Sequence, residues 1–180
     1  ERVTKYSLAI AHEMDAEGYK FPDGFFETIY IAGLLHDIGK IAIPETILGK
    51  NDVLTEDEFK IMRQHTLKGV EILKPITEFE ECVKGVRSHH ERYDGKGYPD
   101  GLKGEEIPIY SRILSIADSF HAMVSDRPYR KALSVETAVE ELKKNSRTQF
   151  DPELIEIFIK ALEDEGVYQR EKRPIPEGRR

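Results

Sequence analysis

Apolar positions along the chain recur at helical spacing, and nowhere do they alternate with polar ones long enough to suggest a strand. From Val3 to Ala16 the apolar residues Val3, Tyr6, Leu8, Ala9 and Ile10 fall close to a helical period. From Phe25 to Leu35 nearly every position is apolar, a length that suits a buried helix better than a strand. Thr55-Glu56-Asp57-Glu58 has the form of a capping box and opens a helix running toward His65. Glu78 to Glu91 predicts another helix. It gives way to Asp94-Gly95-Lys96-Gly97-Tyr98-Pro99-Asp100-Gly101, where the glycines and the proline forbid regular structure. Helical period returns from Ile109 to Val124 through Ile113, Leu114, Ile116, Ala117 and Phe120, and Ser134 caps the next helix. Asp151-Pro152 supplies an N-cap and a first-turn proline for a helix over Glu153 to Leu162. From Gln169 onward the chain is polar and broken by proline. The expectation is an all-α fold, with one domain over residues 1–164 and a polar tail over 165–180.

Composition narrows this picture. A chain of 180 residues builds one core of useful size and is short for two. No window approaches about 18 uninterrupted apolar residues, so no membrane span is expected. The start, Glu1-Arg2-Val3, has neither an initiator Met nor a basic-then-apolar leader, and it reads as a fragment of a longer chain. The single cysteine, Cys82, has no internal disulfide partner and no CxxC companion, which fits a reducing, cytoplasmic setting. A formal net charge of −7 argues against broad binding to DNA or other nucleic acid.

The candidate chemistry lies with the histidines and their neighbours. In Leu34-Leu35-His36-Asp37-Ile38-Gly39-Lys40 an apolar helix ends in a His, an Asp and then a Lys. Burying that His–Asp pair is costly unless something compensates, and a divalent cation does so. A core histidine paired with its neighbour at a helix end would leave the same trace. His89-His90 ends the next predicted helix before the glycine-rich loop, where a solvated surface pair is the plain alternative. His65 stands alone on its helix, as a satisfied core or surface histidine would. Asp118 lies within the apolar run from Ile113 to Phe120, and an acid there needs a partner, of which metal is one choice. Each has an ordinary explanation singly. Together they supply four imidazoles and two carboxylates, the mixed nitrogen and oxygen set that a two-metal site takes, with one carboxylate free to bridge. His12, in a polar context without a partner motif, reads as a surface histidine.

The order of these residues and the motifs around them resemble the HD-GYP family. The resemblance is carried by HDIGK (His36 to Lys40), His65 with Gly69, HHERYDGKGYP (His89 to Pro99) and GLKGEEIP (Gly101 to Pro108). ADSFHAMVSDRPYRKA (Ala117 to Ala132) and TQFDPEL (Thr148 to Leu154) extend it. It implies an HD-domain bundle of about six or seven helices with a GYP loop, built around two divalent ions, iron or manganese. It also implies His36, Asp37, His65, His89, His90 and Asp118 as ligands, with Asp37 as the bridge. Lys40 then contacts the scissile phosphate, Arg127 and Arg130 hold the substrate's phosphates, and Gly97, Tyr98 and Pro99 shape the pocket and offer contacts to partner domains. Relatives carry a further ligand histidine upstream of the pair seen here as Arg2-Val3, sometimes with an earlier glutamate. Both would precede Glu1, so one ion is expected to lack a protein ligand and a third metal is left open. His121, one helical turn after Asp118, stands where relatives are often acidic; it is expected to support the ligands, with direct ligation as the alternative.

The implied reaction is hydrolysis of cyclic di-GMP to linear pGpG, with a second, slower cut giving GMP. For such an anionic substrate in an acidic chain, attraction must come from the ions and from Arg127, Arg130 and Lys131. Three other readings stay open. One is another ring such as a cyclic GMP-AMP; another is a mononucleotide phosphohydrolase of the wider HD superfamily, against which the GYP loop and DRPYR stand. The third is a catalytically silent binding module, against which the intact HD pair and GYP loop stand. An upstream regulatory or diguanylate-cyclase-type domain is the expected partner, and oligomerisation is left open.

Overall fold

The computed structural model describes residues 1–50, 52–126 and 131–169. Among these the chain is helical throughout, and the only β-type pairing is an isolated bridge between Ser146 and Phe150. The helices are α1 (Arg2–Ala16), α2 (Phe25–Leu35), the single turn α3 (Glu45–Leu48), α4 (Glu56–Arg63), α5 (His65–Leu73), α6 (Glu80–Ser88), α7 (Ile109–Met123), α8 (Val135–Lys144) and α9 (Pro152–Asp164). With α3 counted as a turn, and α4 and α5 as one rod broken at Gln64, these make the bundle of seven that the resemblance implies. No helix of the described residues is long and apolar enough to cross a membrane.

The helix starts follow the residues that cap them. Thr55 accepts from the Glu58 amide while the Glu58 carboxylate accepts from the Thr55 amide, closing the capping box of α4. Ser134 accepts from the Thr137 amide to start α8, and Asp151 accepts from the Glu153 amide with Pro152 in the first turn of α9. The stretch expected as one helix from Glu78 to Glu91 is shorter. A 3-10 turn, Thr77–Phe79, precedes α6, and α6 closes at Ser88, so the His89-His90 pair lies just beyond its end.

Two apolar clusters hold the bundle. The larger joins α1, α2, α7, α8 and α9 through Ile10, Met14, Phe25, Ile29, Ile113, Ile116, Phe120, Val139, Leu142, Phe158 and Leu162. The smaller joins α1, α2, α5, α6 and α7 through Val3, Ala32, Leu73, Cys82, Val86, Leu114 and Ala117. Helix α7 belongs to both, which fixes Asp118 at its position between them. Beyond α9 the buried Tyr168 still packs on the larger cluster.

Glycines set how closely the segments approach the site. The 3-10 turn Ile38–Ala42 presses so tightly on α5 that a Cβ on Gly39 would lie 1.9 Å from the His65 carbonyl oxygen and 2.4 Å from the Gly69 amide nitrogen. That contact brings the His36-Asp37 corner against His65.

Candidate metal centre

Three histidines share one local device. His36 is the first residue beyond α2, His89 the first beyond α6, and His65 follows Gln64 at the end of α4. Each turns its Nδ1 back on a last-turn carbonyl three residues earlier. His36 donates to Gly33 at 2.9 Å, His65 to Met62 at 2.7 Å and His89 to Val86 at 2.7 Å. A carbonyl can only accept, so the ring proton must sit on Nδ1. Nε2 is left with a bare lone pair facing inward. Backbone bonds that fix tautomer and ring orientation in this way are the usual support of metal-binding imidazoles.

The lone pairs converge. Donor atoms of Asp37, His65, His89 and His90 all lie within 4.8 Å of one another. A metal about 2.1 Å from each ligand holds its donors no more than roughly 4.2 Å apart, so only a small contraction is needed. His65 Nε2 is 3.5 Å from His89 Nε2 and 3.5 Å from Asp37 Oδ1. On the other side of Asp37, His36 Nε2 lies 3.4 Å from Oδ2 and 3.8 Å from Asp118 Oδ1. Asp37 thus faces two donor groups, one with each carboxylate oxygen. Its Oδ1 is buried and makes no hydrogen bond among the described residues. An orphaned carboxylate oxygen beside inward-facing imidazole lone pairs is unfavourable by itself and suits a divalent cation.

The electrostatics agree. Burial pushes the His65 imidazole below its ordinary value, and it pushes His89, which also feels His90, well below. Burial, with the nearby His65, lowers His90 to about 3. All three are therefore neutral and able to ligate near pH 7. Burial alone would lower His36 too, but the bond to Asp37 and the charges of Asp37 and Asp118 outweigh it and raise the group. Burial would raise Asp37, yet His36 and Lys40 hold its carboxyl far below the usual carboxylate range, so it is ionised. Lys40 Nζ sits 2.6 Å from Asp37 Oδ2.

The glycine-rich loop closes one wall. Tyr98 stacks on His90 with ring centroids 5.0 Å apart, and Gly97 packs so closely that a Cβ there would lie 2.4 Å from the Glu91 Cα. Glu91 is buried, and its Oε1 accepts from the Asp100 and Gly101 amides at 2.7 and 3.0 Å. Arg87 pairs twice with Asp100 across the loop. The late TQFDPEL motif holds the loop's other flank. The Tyr93 and Asp94 amides donate to the carbonyls of Gln149 and Thr148, and Arg92 donates to the Gln149 side chain.

Of the residues singled out in the sequence, His36, Asp37, His65, His89, His90, Asp118, Lys40 and Tyr98 come together here. Arg127 and Arg130 lie outside the described residues. His121 is half-buried on α7, one turn beyond Asp118, and is not in the converging set with Asp37, His65, His89 and His90. His12 is exposed and stacks on Phe26. Sequence reasoning missed Glu91, whose signal was only an acid beside His-His, and Arg63, whose guanidinium lies over the Tyr98 ring.

Comparisons with known proteins bear on the same residues. The family model described as "HD domain" matches residues 2–154. A cyclic di-GMP phosphodiesterase of Thermotoga maritima is 46% identical over 96% of this chain and 46% of its own length. A 3'3'-cGAMP-specific phosphodiesterase of Vibrio cholerae is 35% identical over 90% of this chain and 34% of its own length. The chain thus spans less than half of the length of these curated relatives. Among solved structures, a cyclic GMP-AMP specific phosphodiesterase of V. cholerae superposes with a TM-score of 0.71 at 19% identity, covering 92% of this chain and 44% of that one. The HD domain of the L. monocytogenes phosphodiesterase PgpH, in complex with cyclic-di-AMP, gives 0.58 at 20% identity, covering 96% and 91%. At those identities the superpositions show a shared fold. With the HD pair, the spaced histidines and the GYP loop on that fold, the chain belongs to the HD domain family, in its HD-GYP branch.

Proposed function

We propose that this chain is a metal-dependent phosphodiesterase that opens the ring of cyclic di-GMP to linear pGpG, with a slower second cut to GMP. The observation that carries the reading is the shared carboxylate, Asp37, with Oδ1 toward His65 and Oδ2 toward His36. His36, Asp37 and Asp118 would hold one divalent ion, and His65, His89 and His90 with Asp37 the other, both iron or manganese. Such a pair supplies a water activated near neutral pH and positive charge for the phosphoryl oxygens.

The chain's own groups do the rest. Lys40 spends one proton on Asp37 and has two more to offer a non-bridging oxygen of the scissile phosphate, where charge grows in the transition state. Arg127 and Arg130 fork onto phosphate oxygens and orient the ring, which lysines would do less well. Tyr98, its phenol kept protonated by burial, is a hydrogen-bond donor beside the pocket. The substrate class is supported by the names of the curated relatives. Because some of these are 3'3'-cGAMP-specific, a mixed cyclic GMP-AMP ring is the second reading.

The test is metal analysis of anaerobically prepared protein joined to chromatography of its digests of cyclic di-GMP and 3'3'-cGAMP. Two ions per chain and pGpG are expected, with the mixed ring cut more slowly. Protein that binds no stoichiometric metal and cleaves neither ring would sink the proposal.

A further inference from the structure

Arg63 closes α4, and its guanidinium carbon lies 4.5 Å from the centroid of the Phe59 ring and 4.9 Å from that of Tyr98. Tyr98 in turn stacks on His90 at 5.0 Å. A continuous stack therefore runs from an exposed helix end, through the loop tyrosine, to a side chain of the converging cluster. Arg63 is exposed, and no carboxylate of the described residues pairs with it. This is unusual company in a chain of net charge −7, where many cations, from Lys5 to Lys160, are in ion pairs.

The Phe59 and Tyr98 rings both lie against the guanidinium and hold it in place. What remains is the edge, with N–H donors in a rigid fork that matches two acceptors side by side. A simpler role is available, since a basic residue in the last turn suits the free carbonyls of a helix end. That role accounts for neither the stack on Tyr98 nor the open donor edge beside the pocket.

Building on the proposed cyclic-dinucleotide phosphodiesterase activity, we infer that Arg63 anchors the part of the substrate beyond the scissile phosphate. Its forked edge takes a paired acceptor of the cyclic dinucleotide. Two groups offer that chemistry: the oxygens of the second phosphodiester, and the O6/N7 edge of guanine. Arg63 stands two ring contacts away from His90, so a small diester held at the cluster is expected not to reach its fork.

The experiment compares Arg63→Ala and Arg63→Lys with the parent chain, all loaded with Mn²⁺, on three probes: cyclic di-GMP, cyclic di-AMP and bis(p-nitrophenyl) phosphate. Dissociation constants for a phosphorothioate analogue of cyclic di-GMP supply a readout independent of turnover. Arg63→Ala should weaken analogue binding and lower kcat/KM for cyclic di-GMP by about tenfold to a hundredfold, the loss of one charge-assisted paired contact. Lysine should recover only part, and bis(p-nitrophenyl) phosphate should be cleaved as before. Loss on both cyclic dinucleotides assigns the fork to the second phosphate; loss on cyclic di-GMP alone assigns it to guanine. Equal loss on all three probes would reduce Arg63 to a prop for Tyr98, and no loss on any would reduce it to a helix-end charge; either result overturns the inference. If the parent chain cleaves the small diester but neither ring, the underlying activity fails instead, and the Arg63 comparison is not what failed.

Discussion

Asp37 is the side chain with the most demands placed on it. Its Oδ1 faces the His65 imidazole and makes no hydrogen bond among the described residues, while its Oδ2 faces His36 and Lys40. Asp37→Ala should therefore lose at least one ion per chain and abolish turnover, checked by metal analysis and product chromatography. Full metal content at a near-normal rate would show it to be only a helix-end acid. Replacing Arg127 or Arg130 by Ala should act differently. Metal content should hold while kcat/KM falls by about 1.5–3 kcal/mol of lost charge-assisted bonding; unchanged constants for both would remove them from the substrate. At this scale the sequence was legible wherever a costly residue sat in an apolar setting, as at His36, Asp37 and Asp118. It was silent where function depends on what a common residue happens to touch. Nothing in GluArgTyr marks Glu91 as the acceptor for two loop amides, and nothing in MetArgGln sets Arg63 against an aromatic ring 35 positions later.

Elements were legible where a chemical signal starts them and less so where packing ends them. Thr55, Ser134 and Asp151 cap where expected, because the cap is a local hydrogen bond. The end of α6 came earlier than periodicity predicts, since His89 folds back on the Val86 carbonyl, a choice set by the site. The loop after it is held by ion pairs whose response to acid has a definite sign. The bonded Arg87 guanidinium keeps the Asp100 carboxyl below its ordinary value, and Arg92 does the same for Asp94. Folded values lie below unfolded ones, so the stabilisation is complete above roughly pH 4 and is lost as pH falls through the folded values. Amide protection of Asp100 and Gly101 should accordingly stay level from about pH 7 to 5 and drop below about pH 4. A drop already near pH 6 would point to a different group.

For the whole molecule, α7 joins the two apolar clusters, and a buried pair ties its first turns to α9. Arg112 donates to Asp151 at 2.6 Å and to the Ile107 carbonyl at 3.1 Å. Asp151 is 5% exposed, so removing its partner strands a buried carboxylate. Arg112→Ala should cost about 3 kcal/mol of unfolding free energy with metal stoichiometry unchanged, measured by denaturant titration and metal analysis. A neutral result would mean that the pair only breaks even with its own desolvation. Two helices, α2 and α6, arrive at the cluster by their C-terminal ends. Their aligned peptide dipoles each leave about half a negative charge there, added to those of Asp37 and Asp118. On the proposed reading, the field of the metal-free pocket would draw cations in and turn phosphates away. If the proposed function holds, this field would impose an order of events that needs no gate: ions first, nucleotide second. Chelator-stripped protein should accordingly bind the phosphorothioate ring at least about a hundredfold more weakly than the Mn²⁺ form, and equal binding by the two forms would mean that the arginines alone overcome the repulsion.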